Sequence, residues 1–247
     1  MKNQYVGDIG DYGKYGLLRF LQASGIEIGI NWYLTPDDGR TDGEHTEYLD
    51  DVRMRVYDPE IFDSMQRIMS QKSKNIMMVE KEEYLKDCIF YNAMMDFSGL
   101  NWQKRARARL KWHDGAMKAL QDVELVFADP DNGLSLRQKP TWRNAEKYIM
   151  PSEIVGYYKR NQQVLYYQHR SRKNTEEWLE EKRHIKTYLP DAKLLALSFH
   201  RWSARTYIFV IHENKIDQYN RIIEAFVNTA WGTHKVDGKL PFRYDTL

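Results

Sequence analysis

Cysteine is almost absent from this 247-residue chain, Cys88 being the only one. That count excludes an internal disulfide and a Cys-x-x-Cys zinc site, and it fits a reducing compartment such as the cytoplasm. Long apolar runs are missing too. None approaches the roughly 20 residues that span a bilayer, so no membrane partner is expected. Met1-Lys2-Asn3-Gln4-Tyr5 lacks the apolar stretch of a secretory signal. Net charge is scarce, +2 from 37 basic and 35 acidic residues, so the global field does not demand a nucleic-acid partner. The seven histidines include no His-x-x-x-His pair. No internal repeat, low-complexity segment or linker divides the chain, which reads as one domain over residues 1–247.

Charge is present locally. Lys104, Arg105, Arg107, Arg109 and Lys111 form one basic run, and Lys159, Arg160, Arg170, Arg172 and Lys173 a second cluster. With seven Trp and 17 Tyr to stack on bases, these suit a nucleic-acid or nucleotide partner. The alternative is solvated helix faces with aromatics in the core.

The periodicity alternates between strand and helix. Strands are expected at 28–34, 75–79, 88–91, 123–128, 163–167, 193–199 and 206–211. Helices are expected after Gly16 to about Ser24, over 48–71 with a break at Asp58-Pro59, and over 102–120, 147–160, 175–189 and 216–229. In the 102–120 helix, Ala106, Leu110, Ala116, Met117 and Leu120 are the expected inward face. This order predicts an α/β fold of Rossmann-like type, a three-layer sandwich with a mostly parallel sheet and an antiparallel C-terminal strand.

Two stretches carry candidate chemistry. Val123 to Gly133 runs from apolar residues into Asp129-Pro130-Asp131-Asn132-Gly133, where a buried strand would end. Ligands of open α/β sheets collect at such strand ends, although the same residues also make a good turn. Gly7 to Gly16 packs four glycines with Asp8, Asp11 and Lys14, whose spacing of three puts them on one face if a helix starts early. The glycines permit positive φ and close approach by a ligand. A polar loop, Thr35 to Thr46, contains Asp37, Asp38, Asp42, Glu44 and His45; it matches no EF-hand or zinc spacing, and is either a cation site or surface loop. His169 and Arg170 follow one strand. His200, Arg201, Trp202 and Arg205 lie between two others, where the alternative for both arginines is a hairpin turn paired to surface acids.

This order of motifs resembles the class I S-adenosylmethionine-dependent methyltransferases, and within them the family that methylates N6 of an adenine in large-subunit ribosomal RNA. The family's Asn/Asp-rich segment ending in Lys resembles Gly7 to Lys14. Its Asp-Pro-Pro-Tyr motif corresponds to Asp129-Pro130-Asp131-Asn132. Two departures are evident: no Gly-x-Gly follows Leu34, and Asp131 and Asn132 replace the second proline and the aromatic. The resemblance implies a methyltransferase acting on an amine of a nucleic acid or nucleotide. Asp129 and Asn132 would orient the acceptor amine, with Asp131 and Lys14 beside them. Asp8, Gly10, Asp11, Asp37 and Asp38 would lie by the cofactor. His169, Arg170, His200, Arg201 and Trp202 would meet the substrate.

Two alternatives stay open. Asp8, Asp11, Asp129 and Asp131 could gather divalent metal, a pair of ions roughly 4 Å apart serving a nuclease or phosphodiesterase. His169, His200 or Lys14 would then assist with protons or charge. A fold that has lost its reaction and only binds nucleotide or nucleic acid is the other, with Arg201 and Arg205, flanking Trp202, recognising a phosphate or an exposed base. The sequence sets no oligomeric state.

Overall fold

The computed structural model describes residues 1–39, 45–134, 139–169, 175–201 and 205–245. Helix α1 (Ile9–Ala23) is capped by Asp8, whose carboxylate accepts the Gly10 N–H at 2.7 Å. That bond satisfies one of the free amides of a first helical turn. Strand β1 (Ile28–Asn31) follows, then α2 (Pro59–Met69), α3 (Ile76–Val79), β2 (Ile89–Tyr91), α4 (Trp102–Ala119) and β3 (Leu125–Ala128). Two short strands, β4 (Gly133–Leu134) and β5 (Tyr148–Ile149), pair in parallel with each other. After them come α5 (Pro151–Tyr158), β6 (Gln163–His169), α6 (Thr175–Arg183), β7 (Lys193–Phe199), β8 (Arg205–Ile211), α7 (Ile216–Val227), α8 (Ala230–Thr233) and β9 (Phe242–Asp245).

The main sheet has the order β2-β1-β3-β6-β8-β7-β9. Strands β2, β1, β3 and β6 are parallel, β8 opposes β6, and β7 opposes β8 and so returns to the first direction. The sheet is mixed and mostly parallel. Where one antiparallel strand was expected at the end, two occur, one of them internal. β8 rather than β7 docks on β6, and β9 adds an edge against β7. β9 escapes a periodicity reading because only Phe242 of its four residues is buried.

The register brings Asn31, Ala128 and Tyr166 level, so the chain leaves β1 and β3 at one edge. Side chains alternate across each strand. Leu125 and Phe127 pack with Ile9, Leu18 and Ile30, whereas Val126 and Ala128 pack with Trp112, Ile154 and Tyr157. The sheet is therefore buried on both faces, each fully buried Leu, Ile or Phe contributing about 1.5–3 kcal/mol.

Several expected elements differ. The first helix begins at Ile9 rather than after Gly16, because Asp8 caps it there, and the part of the 48–71 helix before Asp58 is two short 3-10 helices, Glu47–Asp50 and Val52–Val56. Residues 76–79 form a helical turn instead of a strand, because the Ile76 N–H is held by Asn3 Oδ1 at 2.9 Å and Ile76 and Val79 bury at helical spacing. The helix expected from Lys147 begins at Pro151, which suits a first helical position, since the two preceding residues pair as β5. Leu110 is 65% exposed. The buried stripe of α4 is Arg109, Trp112 and Ala116, and Arg109 is inside because Glu153 meets it.

Candidate active site

The N-terminal segment lies across the strand ends. The Met1 ammonium donates to the carbonyls of Tyr33 (3.2 Å) and Asp129 (2.9 Å) and pairs with Asp131 Oδ1 at 2.7 Å. Thr35 N–H returns a bond to the Met1 carbonyl at 2.9 Å. Just past β1, Tyr33 has φ of 48°, a left-handed conformation that a bulky residue rarely adopts. Its hydroxyl is anchored on Glu153 Oε2 at 3.0 Å, which helps hold the turn. Strain of this kind concentrates where a fold positions a site.

Beside this segment opens a cleft of about 630 Å³. Its floor is a buried charge network. Lys14 Nζ lies 2.8 Å from Asp11 Oδ1 and 2.7 Å from Asp129 Oδ2, and over the rings of Tyr15 and Trp32. Burial works against this ammonium, but Asp11 and Asp129 outweigh it and leave its pKa above the ordinary lysine value. Burial also raises the Asp11 carboxyl, against the pull of Lys14. Asp11 Oδ2 further accepts from the Gly7 N–H and the Tyr15 hydroxyl, each at 3.3 Å. Asp8, Asp11 and Lys14 share one face of α1, as the spacing predicts, and that face looks onto the end of β3.

The opposite wall comes from β6 and β8. Arg205 Nη1 reaches Asp8 Oδ1 at 3.1 Å, and Tyr207 bonds the Gly10 carbonyl at 3.4 Å. Tyr167 Oη lies 3.3 Å from His169 Nδ1. Burial, reinforced by Arg205, lowers the His169 pKa, and burial pushes Tyr167 up to about 12. The glycines of α1 turn out to accommodate side chains. A Cβ on Gly10 would lie 0.9 Å from Arg205 Nη1, on Gly13 2.5 Å from Phe199, and on Gly16 2.4 Å from Trp231. Close approach is required there, but by the protein's own residues.

A second cleft, about 760 Å³, adjoins the first and shares Asp38 and Lys147 with it. Thr35, Pro36, Asp37 and Asp38 after β1, residues 95–101 after β2, and Arg105 and Arg143 line it. Asp37 accepts the Gln4 N–H at 3.0 Å, while Asp38 pairs with Lys2 and lies 3.8 Å from Lys147 Nζ.

Of the residues singled out in the sequence, Asp8, Gly10, Asp11, Lys14, His45, Asp129, Asp131, Asn132, His169 and Arg205 line the first cleft, Asp37 the second and Asp38 both. Asp8, Gly10 and Asp11, expected by the cofactor, thus share a cleft with the expected catalytic residues. His200 and Arg201 line neither. The buried Arg201 guanidinium holds the chain near β9, bonding the Tyr57 hydroxyl and the carbonyls of Val236 and Lys239. Arg170 and Trp202 lie outside the described residues. Tyr167, Tyr207 and Lys147, which also line the first cleft, were missed. Period-two alternation carried a signal for the two tyrosines, since Tyr167 with His169, and Arg205 with Tyr207, fall on one face of paired strands. Among the described residues, no three His, Cys, Asp or Glu are grouped to hold a metal.

No family model matches the chain, and no curated protein matches it.

Proposed function

We propose that the two clefts belong to a methyltransferase of the S-adenosylmethionine-dependent class, acting on an amine of a nucleotide or nucleic acid. The observation that carries this reading is the meeting of two clefts at the carboxyl ends of β1 and β3, with Asp129-Pro130-Asp131-Asn132 in one of them. A sheet buried on both faces, with β8 inserted antiparallel between β6 and β7, supports a Rossmann-like three-layer sandwich beneath them.

The donor set of the second cleft fits the cofactor. Asp37, Asp38 and Asp96 suit a cationic ligand bearing ribose hydroxyls, Arg105 or Arg143 its carboxylate, and Phe97 its base. When bound, the cofactor supplies an electrophilic methyl group. The chain's own residues do the rest. Lys14 fixes the Asp129 carboxylate through Oδ2, leaving Oδ1 to accept a hydrogen bond from the acceptor amine. Asn132, its N–H tied to the Lys147 carbonyl at 2.9 Å, orients the acceptor from the adjacent position. Holding the amine in place contributes by orientation.

The metal-dependent phosphodiesterase is disfavoured by a specific observation: Asp8, Asp11, Asp129 and Asp131 are each already met by a protein cation. The test is methyl transfer from labelled S-adenosylmethionine to nucleotides and single-stranded nucleic acid. Asp129→Asn, which keeps the shape, is expected to lose transfer by about 100-fold or more, as for removal of a positioned acid–base or polarising group. Cleavage of the nucleic acid on adding Mg²⁺ or Mn²⁺, with no transfer, would replace this reading with the phosphodiesterase. Binding without either reaction would replace it with the binding protein.

A further inference from the structure

Resting on the reading of the first cleft as the acceptor pocket, we propose that Asp131 and Asn132 select a guanine, and not an adenine, as the base presented there. The Asp131 side chain is only 6% exposed, yet it lines the cleft. Oδ1 faces the Met1 ammonium, whereas Oδ2 has no hydrogen-bond partner among the described residues; both oxygens are shielded from solvent, so the side chain must turn into the cleft to meet a ligand. A buried carboxylate oxygen without a donor is unfavourable, and such groups in native proteins call for a partner. The neighbouring Asn132, half-buried in the same cleft, adds an amide with both donors and an acceptor.

These two side chains offer, in sequence, acceptors and then a donor. Guanine presents the complement: two adjacent N–H donors, N1–H and the N2 amine, followed by the O6 acceptor. Asp131 takes the two donors, and the Asn132 amide donates to O6. Adenine fails this pairing because its N1 is an acceptor and would set a lone pair against the carboxylate. Cytosine fails through N3 in the same way. Uracil has a single N–H between two carbonyls. The carboxylate at position 131, where the resembling family has proline, is thus a specificity determinant.

The experiment is calorimetric titration of the full chain with guanosine monophosphate and adenosine monophosphate, whose common phosphate cancels in the comparison. Guanosine monophosphate is expected to bind at least about ten-fold more tightly, within the range by which a good bidentate contact discriminates against the wrong base. Asp131→Asn is expected to abolish the preference while leaving S-adenosylmethionine binding unchanged. Asn132→Ala, which keeps the buried ion pair, is expected to reduce the preference and serves if Asp131→Asn does not fold. Equal or tighter binding of adenosine monophosphate overturns the proposal, as does no binding of either nucleotide. So does a preference that survives both substitutions. Methylguanidine tests a site that reads donors alone; displacement of guanosine monophosphate by it at equal concentration also overturns the proposal. A guanine preference without S-adenosylmethionine binding would sink the methyl-transfer reading and leave base selection standing. The reverse result would separate them the other way.

Discussion

A methyl group added at Gly10 would lie 0.9 Å from Arg205 Nη1, so Gly10→Ala must expel the guanidinium from its place against Asp8. Overpacking of this kind costs about 1–3 kcal/mol, more than the helix preference of Ala returns. The urea midpoint should fall, and Arg205→Ala in the same background should recover part of the loss. Simple additivity of the two would show that they do not compete for space. Lys14→Met should cost more, about 3–5 kcal/mol, because it leaves Asp11 and Asp129 buried without their cation. Burial already raises the Asp11 carboxyl. A folded-state pKa above the unfolded one makes the folded state bind more protons, so stability rises as pH falls through the raised value. The Lys14→Met penalty should therefore be smaller at pH 5 than at pH 7 in urea titrations; an equal penalty at both would contradict the network. At this scale the sequence was informative about Asp8, Asp11, Lys14 and Asp129, whose spacing and strand-end position are local. It named Arg205 without its partner Asp8, which strand pairing brings to it, and was silent on Lys147.

Helices α4 and α5 are joined by a buried ion pair. Arg109 Nε and Nη2 meet the Glu153 carboxylate at 2.7 and 2.9 Å, and the remaining Arg109 donors reach the carbonyls of Ala145 and Tyr148. Removing either partner should cost about 3–5 kcal/mol, whereas replacing both with apolar residues of similar volume should cost far less. Arg109→Met, Glu153→Leu and the double variant test this by thermal denaturation, and a double variant as damaged as the sum would refute it. Burial opposes the Glu153 charge, but Arg109 outweighs it and holds the carboxyl below its ordinary 4.5. The stability from this pair is complete above that ordinary value and is lost as pH falls through the depressed one. The acid limb of the stability curve should flatten in the double variant. Arg109 also shows why elements were only partly legible. In the sequence it belongs to a basic run that suits a nucleic-acid partner or a solvated helix face; a partner 44 residues away makes it a core residue. Strands β1, β3, β6, β7 and β8 were legible because apolar runs mark them, while β9 and the turn at 76–79 depend on contacts distant in sequence.

At the scale of the molecule, one sheet edge gathers the N-terminal segment, the ends of β1 and β3, and the walls from β6 and β8 into two adjoining clefts. Among the described residues no helix is long and apolar enough to cross a membrane. The alternation of strands and helices made the α/β class readable in advance. The position of β8 inside the sheet was not, because a hairpin's own sequence does not say which of its strands meets the neighbour. The central claim is that the second cleft takes S-adenosylmethionine, and calorimetric titration of the cofactor into the full chain tests it most directly. Binding in the micromolar range, about −7 to −8 kcal/mol, is expected for the wild type. Asp38→Ala should weaken it and Asp129→Asn should leave it unchanged. Absence of binding to the wild type, or loss in Asp129→Asn with none in Asp38→Ala, would contradict the account.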